Sequence, residues 1–162
     1  MAEEQYSLAK FYKGWDGYQQ HLVTAIAPLS SAELALRAAP HQRSIGEIAT
    51  HLIAARARWF HTFLGEGEEN MEVIQGWDQE GEPVRSAAEL VEGLEATWQV
   101  IQNALTRWAP ADLEQSLRKD HKGRLDTHSR QWVIWHVIEH DLHHGGEISF
   151  SLGMHGLAAP DL

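Results

Sequence analysis

The amino-acid sequence predicts an all-α fold, a four-helix bundle, in a single domain that spans residues 1–162. Apolar residues recur at helical spacing in four long stretches. Three Ser-x-x-Glu motifs, which are capping boxes typical of helix N-termini, mark where helices begin. Two long connections separate the helices. At 162 residues, the chain is long enough to form one hydrophobic core.

Two long helices are predicted in the first half of the chain, from about Gln5 to Ala27 and from Ser44 to about Leu64. The second begins at a capping box and has Arg56 near the middle of its apolar face, an unusual position for a charge. For Arg56, a structural ion pair or extension to the surface is favoured over binding of an anionic substrate group. A further capping box at Ser30 predicts only one or two helical turns.

A long acidic connection, from Gly65 to Arg85, follows the second helix. It contains seven carboxylates and four glycines, and it is longer than antiparallel neighbours need. Its few apolar residues predict partial packing against the bundle. The only physical role that the sequence indicates for the carboxylates is solubility.

The third long helix begins at the capping box of Ser86 and ends before Pro110. The segment from Ala111 to Thr127 is polar, and its Gly123 indicates a turn. Either Thr127 or Ser129 is expected to cap the last helix.

The last helix, in the stretch from Trp132 to Gly156, carries a stripe of histidines. His136, His140 and His144 lie four residues apart, so they face the same side of a helix. The other faces are largely apolar, which predicts a buried helix. Buried imidazoles need polar partners, and a metal ion is one such partner.

A three-histidine metal site is the predicted functional centre. His140 and His144 supply a pair of ligands one helical turn apart, and His51 from the second helix is the expected third. Three protein ligands leave a fourth position for water or substrate, the arrangement of catalytic zinc. His136 is a fourth ligand, a hydrogen-bond donor to the site, or part of the core, and we favour the last two together. In the alternative interpretation the histidines form a half-exposed polar seam, as expected for His143.

Three carboxylates of the last helix are candidates to orient ligand imidazoles by accepting the second ring N–H. They are Glu139, Asp141 and Glu147. For Asp141, exposure to solvent is the favoured interpretation.

Composition excludes several classes of function. The formal net charge of −10 argues against nucleic acid as a partner. The chain has no cysteine, hence no thiolate ligand and no cysteine nucleophile, which is compatible with the cytoplasm. No apolar stretch is long enough for a membrane span, and the acidic N-terminus does not read as a signal peptide.

The order of these motifs resembles the DinB/YfiT-like superfamily of metal-dependent proteins. A second-helix histidine precedes a last helix reading H-V-I-E-H-D-L-H-H-G-G-E-I and a Leu-Gly-x-x-Gly exit. The resemblance covers essentially the whole chain and is most specific from His140 to Ile148. It implies an up-down-down-up bundle with a long crossover between helices 2 and 3, and a homodimer. It also implies a divalent metal, often zinc or nickel, on His51, His140 and His144.

The resemblance further implies an activity. Characterised relatives are thiol S-transferases that use bacillithiol or mycothiol, and a mycothiol-dependent maleylpyruvate isomerase. Because the chain lacks cysteine, the thiol here is expected to be a low-molecular-weight cosubstrate attacking a small-molecule electrophile. Glu139 or His136 is expected to transfer protons during the reaction. The alternatives are a non-catalytic metal-binding or stress-response dimer, and a hydrolase that uses metal-bound water.

One departure from the family pattern concerns the residues after the last ligand. The family often has His-Arg-Gly-Gln-Ile where this chain has His144 followed by Gly145, Gly146, Glu147 and Ile148. An arginine and an amide are replaced by glycine and a carboxylate. If the arginine position helps to hold an acidic substrate or a thiol cosubstrate in the family, the substrate preference does not carry over to this chain.

Overall fold

The computed structural model describes residues 7–121 and 123–160, and these are mostly helical. The elements follow one another as α1 (Leu8–Phe11), α2 (Lys13–Ile26), α3 (Ser31–Leu34), α4 (Ile45–Ala57), a π-helix (Arg58–Phe63), α5 (Asn70–Ile74), α6 (Ala87–Arg107), a 3₁₀ helix (Pro110–Glu114), β1 (Ser116–His121), β2 (Arg124–Ser129) and α7 (Arg130–Met154).

The helix starts predicted from the three capping boxes are confirmed, because all three boxes form. At α4, the Ser44 hydroxyl accepts from the Glu47 backbone N–H at 3.2 Å, and the Glu47 carboxylate accepts from the Ser44 N–H at 2.6 Å. Ser30 and Ser86 do the same at α3 and α6. Ser129 caps α7 by accepting from the Trp132 N–H.

The first predicted helix differs from the structure. It is interrupted at Tyr12, so that α1 and α2 replace one continuous helix, and its predicted start at Gln5 lies outside the described residues. Its end near Pro28 is confirmed, because α2 ends at Ile26.

Helix α4 lies at the centre of the fold and packs against both α6 and α7. One buried cluster joins Ile48 and Leu52 of α4 to Ile148 and Leu152 of α7. A second cluster packs around the π-helix and includes Phe60 of that helix, Trp98 and Val137. Because apolar side chains hold α4 against α7, the polar residues at the edges of this contact are also brought together.

A β-hairpin in the segment before α7 was not predicted. Strands β1 and β2 pair antiparallel, with Ser116 opposite Ser129, around a turn in which Gly123 has a φ of 80°. The turn at Gly123 is confirmed, and glycine tolerates that positive φ. The strands are mostly polar and lack the apolar alternation by which a half-buried strand is recognised.

The prediction that α7 is buried nearly all round is wrong. Its outer face, defined here as Trp135, Leu142, Phe150 and Met154, is exposed, with Trp135 at 62% and Phe150 at 63%. Helix α7 packs on α4 through the opposite face only. No helix in the described part of the chain is long and apolar enough to cross a membrane.

Candidate metal centre

The three predicted ligands come together where α4 meets α7. One ligand atom from each of His51, His140 and His144 lies within 4.8 Å of the others. The His51 Nε2 and His140 Nε2 atoms are 3.2 Å apart, and the ring centroids of His140 and His144 are 4.3 Å apart. The residues that bring them together are the apolar side chains of the interface between α4 and α7.

Asp78 holds the His51 ring. Its Oδ2 atom accepts a hydrogen bond from His51 Nδ1 at 2.7 Å, and Arg58 binds the same carboxylate at 2.7 Å. Burial tends to raise the pKa of Asp78, but hydrogen bonds from Arg58 and His51 outweigh it and lower the pKa below the ordinary value. With its proton on Nδ1, His51 presents the Nε2 lone pair to the other histidines.

Glu147 orients the His144 ring in the same way, a role for which the sequence made it a candidate. Its carboxylate accepts from His144 Nδ1 at 2.6 Å. The Nε2 atom of His144 is then the free nitrogen. His143 is exposed, as expected, although it joins His144 and Glu147 in a second group with metal-ligand spacing.

The His140 ring is half-buried and contacts both of the other ligand candidates. Burial and the neighbouring histidines lower its pKa to about 3, so the imidazole is neutral at pH 7. Its Nδ1 atom is buried without a hydrogen-bond partner among the described residues. His140 is therefore the ligand candidate that no carboxylate orients.

The nitrogen spacing fits a divalent cation. Zinc–nitrogen bonds of about 2.0–2.1 Å in a tetrahedral site place neighbouring ligand nitrogens about 3.3 Å apart. The separation of the His51 and His140 Nε2 atoms is 3.2 Å. Two facing nitrogens can share only one proton, whereas one cation between them satisfies both lone pairs. Neutral imidazoles are the form in which histidine binds zinc or nickel.

The two predicted catalytic residues lie beside this cluster rather than in it. His136 stacks on Trp132 with ring centroids 4.8 Å apart, and its centroid is 6.3 Å from that of His140. Burial lowers the pKa of His136, while the charge of the exposed Glu139 opposes that change. His136 thus packs among aromatic rings, one of the roles favoured for it.

The interpretation of Asp141 as a solvated residue is wrong. Its side chain is fully buried and accepts hydrogen bonds from Arg56 at 2.7 Å and from the Trp15 indole at 2.7 Å. Arg56 also donates to Gln19 at 2.6 Å. The predicted structural ion pair of Arg56 is therefore confirmed, and its partner is a residue that the sequence did not connect with it.

Two cavities adjoin the cluster. His51 lines a cavity of about 520 Å³ between α3, the start of α4 and the acidic connection. Glu147 lines a second cavity of about 630 Å³ on the other side of the α4 N-terminus. Both have the size of a small-molecule site.

Together these features define a class of protein, a mostly helical fold in which two long helices hold three histidines at ligand spacing. The chain belongs to the DinB superfamily, whose family model matches residues 15–148. The resemblance inferred from the sequence is thereby confirmed. A DinB-like protein from Bacillus cereus ATCC 10987 has a similar fold, with a TM-score of 0.73 over 98% of this chain and 99% of that one, at 21% identity. No curated protein sequence matches the chain.

Proposed function

We propose that the chain is a divalent-metal-dependent enzyme, a thiol S-transferase that acts on a small-molecule electrophile. The observation that carries this proposal is the convergence of three imidazole ligand atoms within 4.8 Å, next to a cavity that His51 lines. Three protein ligands leave a position for a further ligand, which is typical of catalytic sites. The absence of cysteine makes the thiol a cosubstrate rather than a side chain.

In the proposed mechanism, different residues bind the metal, orient its ligands and line the substrate cavity. A bound zinc or nickel ion would supply Lewis acidity, which lowers the pKa of a thiol at neutral pH. His51, His140 and His144 would hold the ion, and Asp78 and Glu147 keep two of these rings in the required tautomer. The cavity beside His51 would seat the substrate and exclude water.

Proton transfer is the role proposed for His136 and Glu139. His136 is the next imidazole along α7 from His140, and its ring is held between Trp59 and Trp132. The exposed Glu139 influences its charge state and would exchange protons with solvent.

Further parts of the proposal concern assembly and topology. A homodimer is proposed because the outer face of α7 exposes large apolar side chains. The same surface is what favours the second candidate function, a non-catalytic metal-binding or stress-response dimer.

An up-down-down-up helix order is proposed from the long connection between α4 and α6. A cytoplasmic location is proposed from the lack of cysteine. With a net charge of −10, nucleic acid is not a proposed partner.

The first experiment is metal analysis of protein purified without a histidine tag. We expect about one zinc or nickel ion per chain, and its loss in the His140→Ala/His144→Ala double variant. His143→Ala is the matched control, because this neighbouring histidine is exposed and belongs only to the second group of possible ligands. Loss of the metal in His143→Ala would assign the ion to that group instead. Absence of metal even after incubation with zinc or nickel would overturn the proposal.

Catalysis is then tested with the metal-loaded protein. Thiol consumption in the presence of a small electrophile, dependent on the metal, distinguishes the transferase from the non-catalytic dimer. Turnover of an ester without added thiol would instead identify the hydrolase that uses metal-bound water.

A further inference from the structure

The cavity lined by His51 combines apolar walls with charged side chains of both signs. Its apolar walls include Leu34, Trp77 and Val84. Six charged side chains also line it, three basic and three acidic: Arg37, Arg43, Glu47, Asp78, Glu82 and Arg85.

The three carboxylates of this cavity are each neutralised by an ion pair. Glu47 pairs with Arg37 at 2.8 Å, and Glu82 pairs with Arg85 at 2.8 Å. Asp78 pairs with Arg58, which lies outside the lining, and accepts from His51. Among the described residues that line the cavity, pairing within the protein therefore leaves no carboxylate free to attract a cationic ligand.

Arg43 is the exception among the basic residues. It has no carboxylate partner and no hydrogen bond among the described residues, and its side chain is exposed. Arg43 directly precedes the Ser44 cap of α4, so it stands at the mouth of the cavity that His51 lines. It also lines the second cavity, the one that contains Glu147. One uncompensated guanidinium thus lies between the two spaces that adjoin the histidine cluster.

We infer that Arg43 binds an anionic group, a carboxylate or phosphate, on a substrate seated in the cavity beside His51. This inference rests on the proposed function and specifies its substrate class: a small acid whose charged end contacts Arg43 and whose reactive end lies beside His51, the ligand candidate that lines the cavity. A planar guanidinium can donate two parallel hydrogen bonds to such a group. The cavity of about 520 Å³ accommodates a molecule of that size.

The test compares two thiols on the cobalt-loaded protein, because a thiolate bound to cobalt absorbs light and reports binding directly. 3-Mercaptopropionate carries a carboxylate, and 2-mercaptoethanol is the neutral counterpart. We expect Arg43→Gln to weaken 3-mercaptopropionate binding about tenfold, as for loss of a charge-assisted hydrogen bond, and to leave 2-mercaptoethanol binding unchanged. Arg43→Lys should lie between these values, because it keeps the charge but not the fork.

A second arm identifies which substrate carries the anion. Succinate is titrated by calorimetry into the same protein saturated with 2-mercaptoethanol. Dependence on Arg43 only for 3-mercaptopropionate assigns the acid to the thiol, and dependence only for succinate assigns it to the acceptor. Lys13→Gln removes an exposed cation at the start of α2 and should change neither.

The results of these experiments distinguish a failure of this inference from a failure of the proposed function. If Arg43→Gln binds 3-mercaptopropionate and succinate as tightly as the parent protein does, and 2-mercaptoethanol binding is normal, only the role of Arg43 is overturned. If neither thiol produces the cobalt absorption, the proposed thiol-binding site itself is overturned.

Discussion

Asp141 Oδ2 lies 2.7 Å from Arg56 Nη2, and both side chains are fully shielded from solvent. The pair joins α7 to α4, and Asp141 directly follows the ligand candidate His140 in the sequence. The Trp15 indole donates to the same carboxylate from α2. Three helices are therefore tied together at the residue that follows the ligand candidate His140.

Asp141→Asn should lower the free energy of unfolding by about 3–5 kcal/mol, because it leaves the Arg56 guanidinium buried without its countercharge. Urea unfolding measures the change. The double replacement Arg56→Met/Asp141→Leu should cost less than the single one, because no buried charge remains. A single variant within about 1 kcal/mol of the parent would show that the pair is not desolvated as described.

Asp78→Asn should weaken zinc binding about 10- to 100-fold, because His51 loses the carboxylate that holds its ring. Competition with a zinc chelator measures the affinity. Glu95→Gln removes one exposed negative charge from α6 and serves as the control. Equal affinities in all three proteins would mean that the contact between Asp78 and His51 does not orient a ligand.

Acid should destabilise the metal-free protein through His140. Burial and neighbouring histidines lower the pKa of His140 from 6.5 to about 3. Between these values the unfolded chain binds a proton at this residue and the folded chain does not, so the free energy of unfolding falls as the pH falls. Unfolding midpoints from pH 7 to pH 4 should decline less steeply in His140→Gln. Parallel curves for the two proteins would contradict this prediction.

Gly145→Ala should destabilise the protein by about 1–3 kcal/mol, because a Cβ atom there would overlap the Tyr18 hydroxyl and come within 2.8 Å of its Cζ atom. Gly146→Ala is the matched control, because among the described residues a Cβ atom there would meet nothing within 4 Å apart from its chain neighbours and the backbone of its own helix. It should stabilise α7 by up to about 1 kcal/mol. In a Tyr18→Ala background the penalty at Gly145 should shrink. Thermal unfolding of the four variants and the parent completes the comparison.

The helix starts and the three clustered histidines were predictable because their signals are local. A capping box needs only residues three apart, and the histidine stripe needs only the helical repeat. His51 could be joined to the stripe because it lies at the margin of an apolar face, and such faces meet in a core.

The roles of Asp78 and Asp141 were not predictable, because each carboxylate binds partners that are distant in the sequence. Asp78 is one of seven carboxylates in the acidic connection, and only the fold places it against His51. Asp141 accepts from a residue 85 positions away. The hairpin before α7 carries no apolar alternation, so backbone pairing forms it without a side-chain signal.

The π-helical turn Arg58–Phe63 has a genetic consequence. Its wider ring of i→i+5 hydrogen bonds holds one residue more than an α-helical turn, as a single inserted codon would produce. Deleting one residue between Trp59 and Thr62 would restore α-helical geometry instead of breaking the helix. His51 upstream would stay in place, and the residues that follow the deletion would keep the face they present, because the π-helical turn already absorbs the extra residue. A one-residue deletion in this turn should therefore be tolerated better than one in the middle of α4, where it would rotate the following residues by about 100°.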